Sequence, residues 1–237
     1  MRTDTSIEFE ITGEAALFSD PVTRVGGEKF SYQIPTYESL KGILQSIYWK
    51  PTLIYVIDEV RIMNPIQTEC KGMRIPKYND GSKNDLSFYT YLTNVRYQVK
   101  AHFLWNENRP ELEKDRNVAK HIQIFKRSLE KGGRRDIFLG ARECQGYVSP
   151  CRFGEGQSYY DGKNIHFGNM YHGITYPDEA FSEETKGKMT LSFFDAIMKD
   201  GIIKFPPPWE CTHKIIKEMQ MKKFGEECKN FHFEEGE

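Results

Sequence analysis

The chain lacks several features that would each assign it to a functional class. Its 237 residues contain no apolar run of about 18, the length a membrane-crossing helix requires. The opening MRTDTSIEFE has no apolar stretch of the kind that drives secretion. The expectation is a cytoplasmic chain with no membrane partner. Five cysteines (Cys70, Cys144, Cys151, Cys211 and Cys228) are odd in number and scattered without a C-x-x-C, which argues against a disulfide framework and a zinc knuckle and leaves reduced thiols as the default. None of the histidines His102, His166, His172, His213 and His232 lies four residues from another histidine, and no carboxylates cluster, so no metal is expected. Adjacent Asp58 and Glu59 would point to opposite faces of a strand, a poor acid/base pair. No G-x-G-x-x-G or Walker pattern supports a nucleotide cofactor, and no G-x-S-x-G supports a nucleophilic serine, so no cofactor is expected. Net charge is also scarce, at −1, so any attraction for an anionic polymer must come from clustering.

What is present is a large apolar inventory and one basic region. A hydrophobic content of 38% with 14% aromatics can bury one large core or two unequal ones. Between Arg109 and Arg152 there are eleven Lys/Arg against six Asp/Glu, whereas the final ECKNFHFEEGE is acidic. Within the basic region the stretch RNVAKHIQIFKRSLEKGGRRD, 116–136, sets Lys120 beside His121 near a helix start and closes on Gly-Gly-Arg-Arg. A solvated helix face would account for it, and so would a surface for an anionic polymer.

Periodicity organises the chain into α+β. Ile7, Phe9 and Ile11 alternate as a half-buried strand, and Thr36 caps a helix with Leu40, Ile43, Leu44, Ile47 and Tyr48 on one side, stopped by Pro51. The stretch 53–62 reads as a strand, the stretch 63–92 as a long polar excursion, and 94–105 as a strand alternating Val95, Tyr97, Val99, Ala101, Phe103 and Trp105. A second helix carries the stripe Val118, Ile122, Phe125 and Leu129 and ends at Gly132; a strand around Tyr147–Phe153 follows. The order βαββαβ is that of a ferredoxin-like domain, residues 1–154, with two helices on one face of a sheet. Short aromatic segments separated by turns make 155–237 a smaller antiparallel β domain with an acidic tail.

Four features could carry chemistry. On a helical wheel Lys120 lies opposite the apolar stripe and His121 at its edge, so neither is needed for the core. An imidazole that titrates near neutrality beside a lysine at a helix N-terminus suits a proton acceptor paired with a phosphate stabiliser. A half-exposed histidine beside a solvated lysine is the plain alternative. Tyr48 reads from its position as a packing residue, yet a phenol at a helix end can present its hydroxyl to a ligand. The glycine-punctuated loop 132–146 would pass close to a phosphodiester with Arg134, Arg135 and Arg142 on phosphates, or would be an ordinary helix stop. Phe88, Tyr89 and Tyr91 could stack bases from a loop, although such aromatics are more often structural.

Taken together, TGEAALFSDPVTRVGGEKFSYQIPTYESLKGILQSIYWKPT, NPIQTECKGMR, YTYLTNVRYQVKAHF, NRPELEKDRNVAKHIQIFKRSLEKGGRRDIFLGARECQGYVSPC and MYHGITYPDE resemble the fifth Cas protein family of CRISPR systems, subtype I-C, of the RAMP superfamily. The likeness spans almost all of the chain and fades after about Cys211. It implies an RRM-related N-terminal domain, a small C-terminal β domain and a metal-independent endoribonuclease. Such an enzyme cuts precursor CRISPR RNA (pre-crRNA) at the base of the repeat hairpin, keeps the 5′ handle and nucleates the surveillance complex. Its implied partners are that hairpin and the other subunits of the complex. The family's catalytic trio, a tyrosine in IYWKP and the Lys-His pair of the second helix, falls on Tyr48, Lys120 and His121. The expected RNA-binding cations are Arg116, Lys126, Arg127, Lys131, Arg134, Arg135 and Arg142. Two readings compete with catalysis on RNA: a non-catalytic 5′-handle-binding subunit, and a metal-dependent nuclease acting on DNA.

Overall fold

The computed structural model describes residues 5–21, 23, 27–77 and 79–219; the acidic ECKNFHFEEGE and the histidine and cysteine within it lie outside the described residues. In chain order the elements are β1 (Ser6–Ala16), β2 (Lys29–Phe30), α1 (Tyr37–Ile47), β3 (Leu53–Ile62), β4 (Thr68–Lys77), β5 (Asp80–Trp105), α2 (Val118–Glu130), β6 (Ile137–Phe138), β7 (Gln145–Ser149), β8 (Asn164–Thr175), β9 (Lys188–Lys199), β10 (Ile202–Lys204) and β11 (Thr212–Glu218). All the strands belong to one sheet, and every pairing except the two-residue β2–β5 contact is antiparallel.

The centre of the sheet runs β3–β5–β1–β7. Register lays Ile7, Phe9 and Ile11 of β1 beside Ala101, Val99 and Tyr97 of β5, so two buried rows share one face. Both helices cover that face. Phe125 of α2 meets Phe9 edge-on at 6.4 Å, and the hydroxyl of Tyr55 on β3 donates to the carbonyl of Tyr48 at the end of α1 (2.7 Å). The start of α1 is set by Thr36, whose hydroxyl accepts from the Ser39 N–H at 3.2 Å, and its apolar side Leu40, Ile43, Leu44 and Ile47 is buried. Asn117 caps α2 by accepting from the Lys120 N–H at 3.0 Å. Gly132 and Gly133 end α2 at φ of 81° and 105°, their N–H groups donating to Leu129 and Ser128 carbonyls at 2.9 and 2.8 Å.

Three expectations change at the element scale. The polar excursion 63–92 is an antiparallel arm, β4 pairing with the first half of β5 from Thr68 opposite Leu92 to Lys77 opposite Asp80. Almost every β4 residue is exposed, so backbone pairing alone makes that strand and it shows no apolar alternation. Because they lie on a strand, Tyr89 and Tyr91 share a face and are buried, whereas Phe88 points outward; two of the three candidate stacking rings are therefore inside the protein. The strand expected over Tyr147–Phe153 stops at Ser149, where Pro150 has no N–H to continue the ladder.

The C-terminal strands extend the same sheet. Ile203 of β10 lies opposite Val60 of β3 on one side and Met198 of β9 on the other, and β8 and β11 flank β9. A bulge at Asp58 in β3 turns its carboxylate to the His102 Nδ1 (2.9 Å), while its carbonyl accepts from the Phe205 N–H at 2.9 Å. Among the described residues no helix is long and apolar enough to cross a membrane.

Candidate active site

Three segments distant in sequence converge at the C-terminal end of α1. Tyr48 is the C-cap residue: its N–H still donates to Leu44 at 3.1 Å, but its backbone is extended, so the side chain turns off the helix axis toward α2. His121 lies in the first turn of α2, and its Nδ1 is 2.8 Å from the Tyr48 hydroxyl. Its Nε2 is 2.8 Å from the carbonyl oxygen of Asp115. A carbonyl only accepts, so Nε2 carries the proton in the neutral ring, and the Tyr48 O–H donates to the bare Nδ1.

His121 is 0% exposed, which corrects its expected place at the edge of the apolar stripe. The buried arc of α2 is His121, Phe125, Ser128 and Leu129, with Val118 and Ile122 half-buried beside it. The imidazole can be there because both nitrogens are bonded; leaving one without a partner would cost about 1–3 kcal/mol. Its faces pack edge-on against Trp105 and Phe103 at 5.7 and 6.3 Å. Tyr48 is buried too, with the guanidinium of exposed Arg134 lying 5.7 Å over its ring. Burial, together with the charge of Asp115, holds the Tyr48 phenol above its ordinary range, and Arg134 pulls the other way. The phenol therefore stays protonated at neutral pH.

Lys120 is exposed, as the wheel predicts, and its ammonium pairs with the Asp115 carboxylate. The hydrogen bond from Lys120 chiefly holds that carboxyl below its ordinary range, and the Thr52 hydroxyl, donating at 2.9 Å, adds to this. Asn106 bolts the same loops together. Its N–H and side-chain amide donate to the carbonyls of Thr52 (2.9 Å) and Pro51 (3.2 Å), and its own carbonyl accepts from the Arg116 guanidinium at 3.1 Å.

Of the expected RNA-binding cations, Arg134 is brought to the site. Its N–H and that of Arg135 donate to the Ser46 carbonyl at the end of α1, 3.2 and 3.1 Å away, so the Gly-Gly-Arg-Arg loop docks on a helix terminus that favours positive charge. Lys126, Arg127, Lys131, Arg135 and Arg142 are exposed. Arg116 differs from them: it is half-buried and turned inward onto Asn106. Periodicity and motif spacing miss Asp115, Thr52 and Asn106, and give Trp105 only as one of the alternating residues of a strand. The only local signal is an acidic residue just ahead of a helix N-cap.

Among the described residues no three His, Cys, Asp or Glu side chains are grouped to hold a metal ion. Comparison with known proteins gives a consistent result. The family described as CRISPR-associated protein (Cas_Cas5), in its Cas5d form, matches residues 6–206. A CRISPR pre-crRNA endoribonuclease Cas5d of Mannheimia succiniciproducens is 27% identical over 227 residues, 85% of this chain and 95% of the relative. Its namesake from Thermus thermophilus is 25% identical over 219 residues, 84% of this chain and 91% of the relative. Among solved structures, one described as a CRISPR-associated protein superposes with a TM-score of 0.72 at 38% identity, covering 87% of this chain and 94% of that one. A functionally uncharacterized protein from Streptococcus mutans does so with a TM-score of 0.71 at 41% identity over the same shares. The chain belongs to the Cas5d family of CRISPR-associated proteins.

Proposed function

We propose that this protein is a metal-independent endoribonuclease that cuts precursor CRISPR RNA at the base of the repeat hairpin, then keeps the 5′ handle within the type I-C surveillance complex in the cytoplasm. The observation that carries the reading is the 2.8 Å bond between the Tyr48 hydroxyl and His121 Nδ1, two groups 73 residues apart in sequence, with Lys120 adjacent on the same helix turn. Two relatives that align over most of their length carry the name pre-crRNA endoribonuclease. The strand order β3–β5–β1–β7 with two helices on one face supports a ferredoxin-like, RRM-related core. In this reading residues 1–154 hold the catalytic and RNA-contacting side chains, and 155–237 form the smaller β domain.

RNA supplies its own nucleophile, the 2′-OH, so the protein need only move protons and stabilise charge on phosphorus. The hydrogen bonding of the free protein supports one order of transfer. The 2′-OH gives its proton to the Tyr48 oxygen as the Tyr48 proton passes to His121 Nδ1. The phenol is thus a relay that never accumulates as a phenolate, and the imidazole is the base behind it. Lys120 donates to a non-bridging phosphoryl oxygen, and the departing 5′-oxygen takes a proton from the imidazolium or from solvent. Products are a 2′,3′-cyclic phosphate and a 5′-OH. Arg134, whose guanidinium lies over the Tyr48 ring, is placed to pair with a phosphate of the bound RNA.

The burial of Tyr48 and His121 favours a second reading, a non-catalytic subunit that only grips the 5′ handle. One gel separates the two. Repeat RNA incubated with the purified protein should be cut equally with and without EDTA, and His121→Ala should slow cutting about 10²–10⁴-fold. No cleavage by wild type, or full cleavage by His121→Ala, overturns the proposal. Loss of cutting in EDTA with recovery on adding a divalent cation overturns metal independence, and cutting of DNA only with a divalent cation points to the metal-dependent rival.

A further inference from the structure

We propose that Asp115 is a positioning residue of the cleavage reaction, tying the two helix ends that carry the catalytic groups into one geometry and aiming the Lys120 ammonium at the scissile phosphate. The proposal rests on the cleavage reading above. Its basis is that one residue contacts His121, Lys120 and Thr52, each through a separate atom. The backbone carbonyl of Asp115 accepts from His121 Nε2 at 2.8 Å, one carboxylate oxygen pairs with Lys120, and the other accepts from the buried Thr52 hydroxyl at 2.9 Å.

Each contact does something specific to the chemistry. The carbonyl fixes the tautomer, leaving the lone pair on Nδ1, where Tyr48 needs it. The Thr52 bond joins the loop that follows Tyr48 to the turn that precedes Lys120, and so sets the distance across which the phenol reaches the ring. Thr52 lies four residues after Tyr48 and Asp115 five before Lys120, so slack in this bond would appear directly in the Tyr48–His121 separation. The carboxylate also lies 3.6 Å from Nε2, where its charge favours the imidazolium formed as the proton arrives. Lys120 is otherwise an exposed, flexible side chain. Held by one of its three N–H bonds, it keeps two for the phosphate without leaving Asp115. The carboxyl stays ionised at neutral pH because Lys120 and Thr52 both stabilise its charged form.

The experiment is single-turnover cleavage of repeat RNA by wild type, His121→Ala, Asp115→Asn, Thr52→Val, Lys120→Met and the Asp115→Asn/Lys120→Met double variant. Alongside it, affinity is measured for RNA carrying a 2′-deoxy nucleotide at the cut. Asp115→Asn should cut about 10–100-fold more slowly with affinity within about two-fold of wild type, because it disturbs a transition-state arrangement and leaves binding intact. In the Lys120→Met background the same change should cost much less, because part of its effect runs through Lys120. Thr52→Val, nearly isosteric, should lose about 3–10-fold with no change in affinity. Asp115→Asn cutting at the wild-type rate while His121→Ala is inactive overturns the positioning role and leaves the cleavage reading standing. Both cutting at the wild-type rate overturns the reading itself. A rate loss matched by an equal affinity loss, or full additivity with Lys120→Met, also overturns the proposal. Should Asp115→Asn fail to fold, Thr52→Val decides: a wild-type rate refutes the tie between the helix ends.

Discussion

At the scale of single residues, the site is an aromatic pair doing polar work from a buried position. Tyr48 and His121 together bury two rings and satisfy three polar atoms, the phenol oxygen and both ring nitrogens, with the Asp115 carbonyl as the end of the chain. Tyr48→Phe keeps the ring beneath Arg134 and removes the proposed proton relay, at a cost of about 1–3 kcal/mol in stability because it leaves the buried His121 Nδ1 without its partner. Its single-turnover cleavage rate should fall about 10²-fold while binding of 2′-deoxy RNA is unchanged; an unaltered rate would mean that His121 takes the proton without help. The residue types are legible in the sequence, because the IYWKP and Lys-His segments can be matched to a family. The burial of His121 is not legible. A hydrophobic wheel counts histidine as polar and so centres the buried arc on Val118 and Ile122, whereas a ring with two satisfied nitrogens packs like any aromatic. Asp115 and Thr52, 63 residues apart, escape sequence reading because each is an ordinary loop residue until the fold pairs them.

At the scale of elements, the Gly-Gly-Arg-Arg segment does two jobs at once. It ends α2, and it delivers Arg134 and Arg135 onto the terminal carbonyls of α1. The two glycines are not equivalent. Gly132, at φ 81°, has open space where a Cβ would go, so Gly132→Ala should cost about 1 kcal/mol. Gly133, at φ 105°, would drive a Cβ to 3.2 Å from the Arg135 carbonyl oxygen and 3.3 Å from Ile137, so Gly133→Ala should cost more, about 2 kcal/mol. Urea denaturation of the two variants checks the ranking, and equal losses would show that the loop relaxes freely. The helices and their stops are readable because caps, glycines and 3.6-residue spacing are local signals. The β4–β5 arm is not readable, since an exposed ribbon held by backbone bonds leaves no apolar alternation to find.

At the scale of the whole molecule, β10 lets the sheet run from the strands beneath the site into the C-terminal strands, and a buried histidine lies where α1 meets that half. His172 stacks on Tyr37 at 3.8 Å, flanked by Phe194 and Phe205, and donates from Nε2 to the Pro206 carbonyl at 3.0 Å. Lys41, paired with Glu179 at 2.5 Å and close to Glu38, is the nearby charge. Burial, with Lys41, pushes the imidazole down to about 4. The unfolded chain therefore binds a proton that the folded chain refuses between about pH 6.5 and 4, and stability falls as pH drops through that window. The loss should be about 2 kcal/mol on going from pH 7 to 5, and His172→Phe should flatten the profile; an unchanged slope in the variant would assign the pH dependence to other groups. The exposed cations at 126–142 should make RNA binding salt-sensitive, with log affinity falling against log salt with a slope of about −3 to −4 if five or so phosphates are neutralised. Neutralising Arg134 and Arg135 together should flatten that slope by about 1.5, and an unchanged slope would place the RNA elsewhere. The central claim, that the ribose attacks its own phosphorus while side chains of α1 and α2 handle protons and charge, is tested most directly on the substrate. Repeat RNA with a single 2′-deoxy nucleotide at the cut should bind the protein as the unmodified RNA does and remain uncut, whereas cleavage of that RNA at the same position would contradict the account.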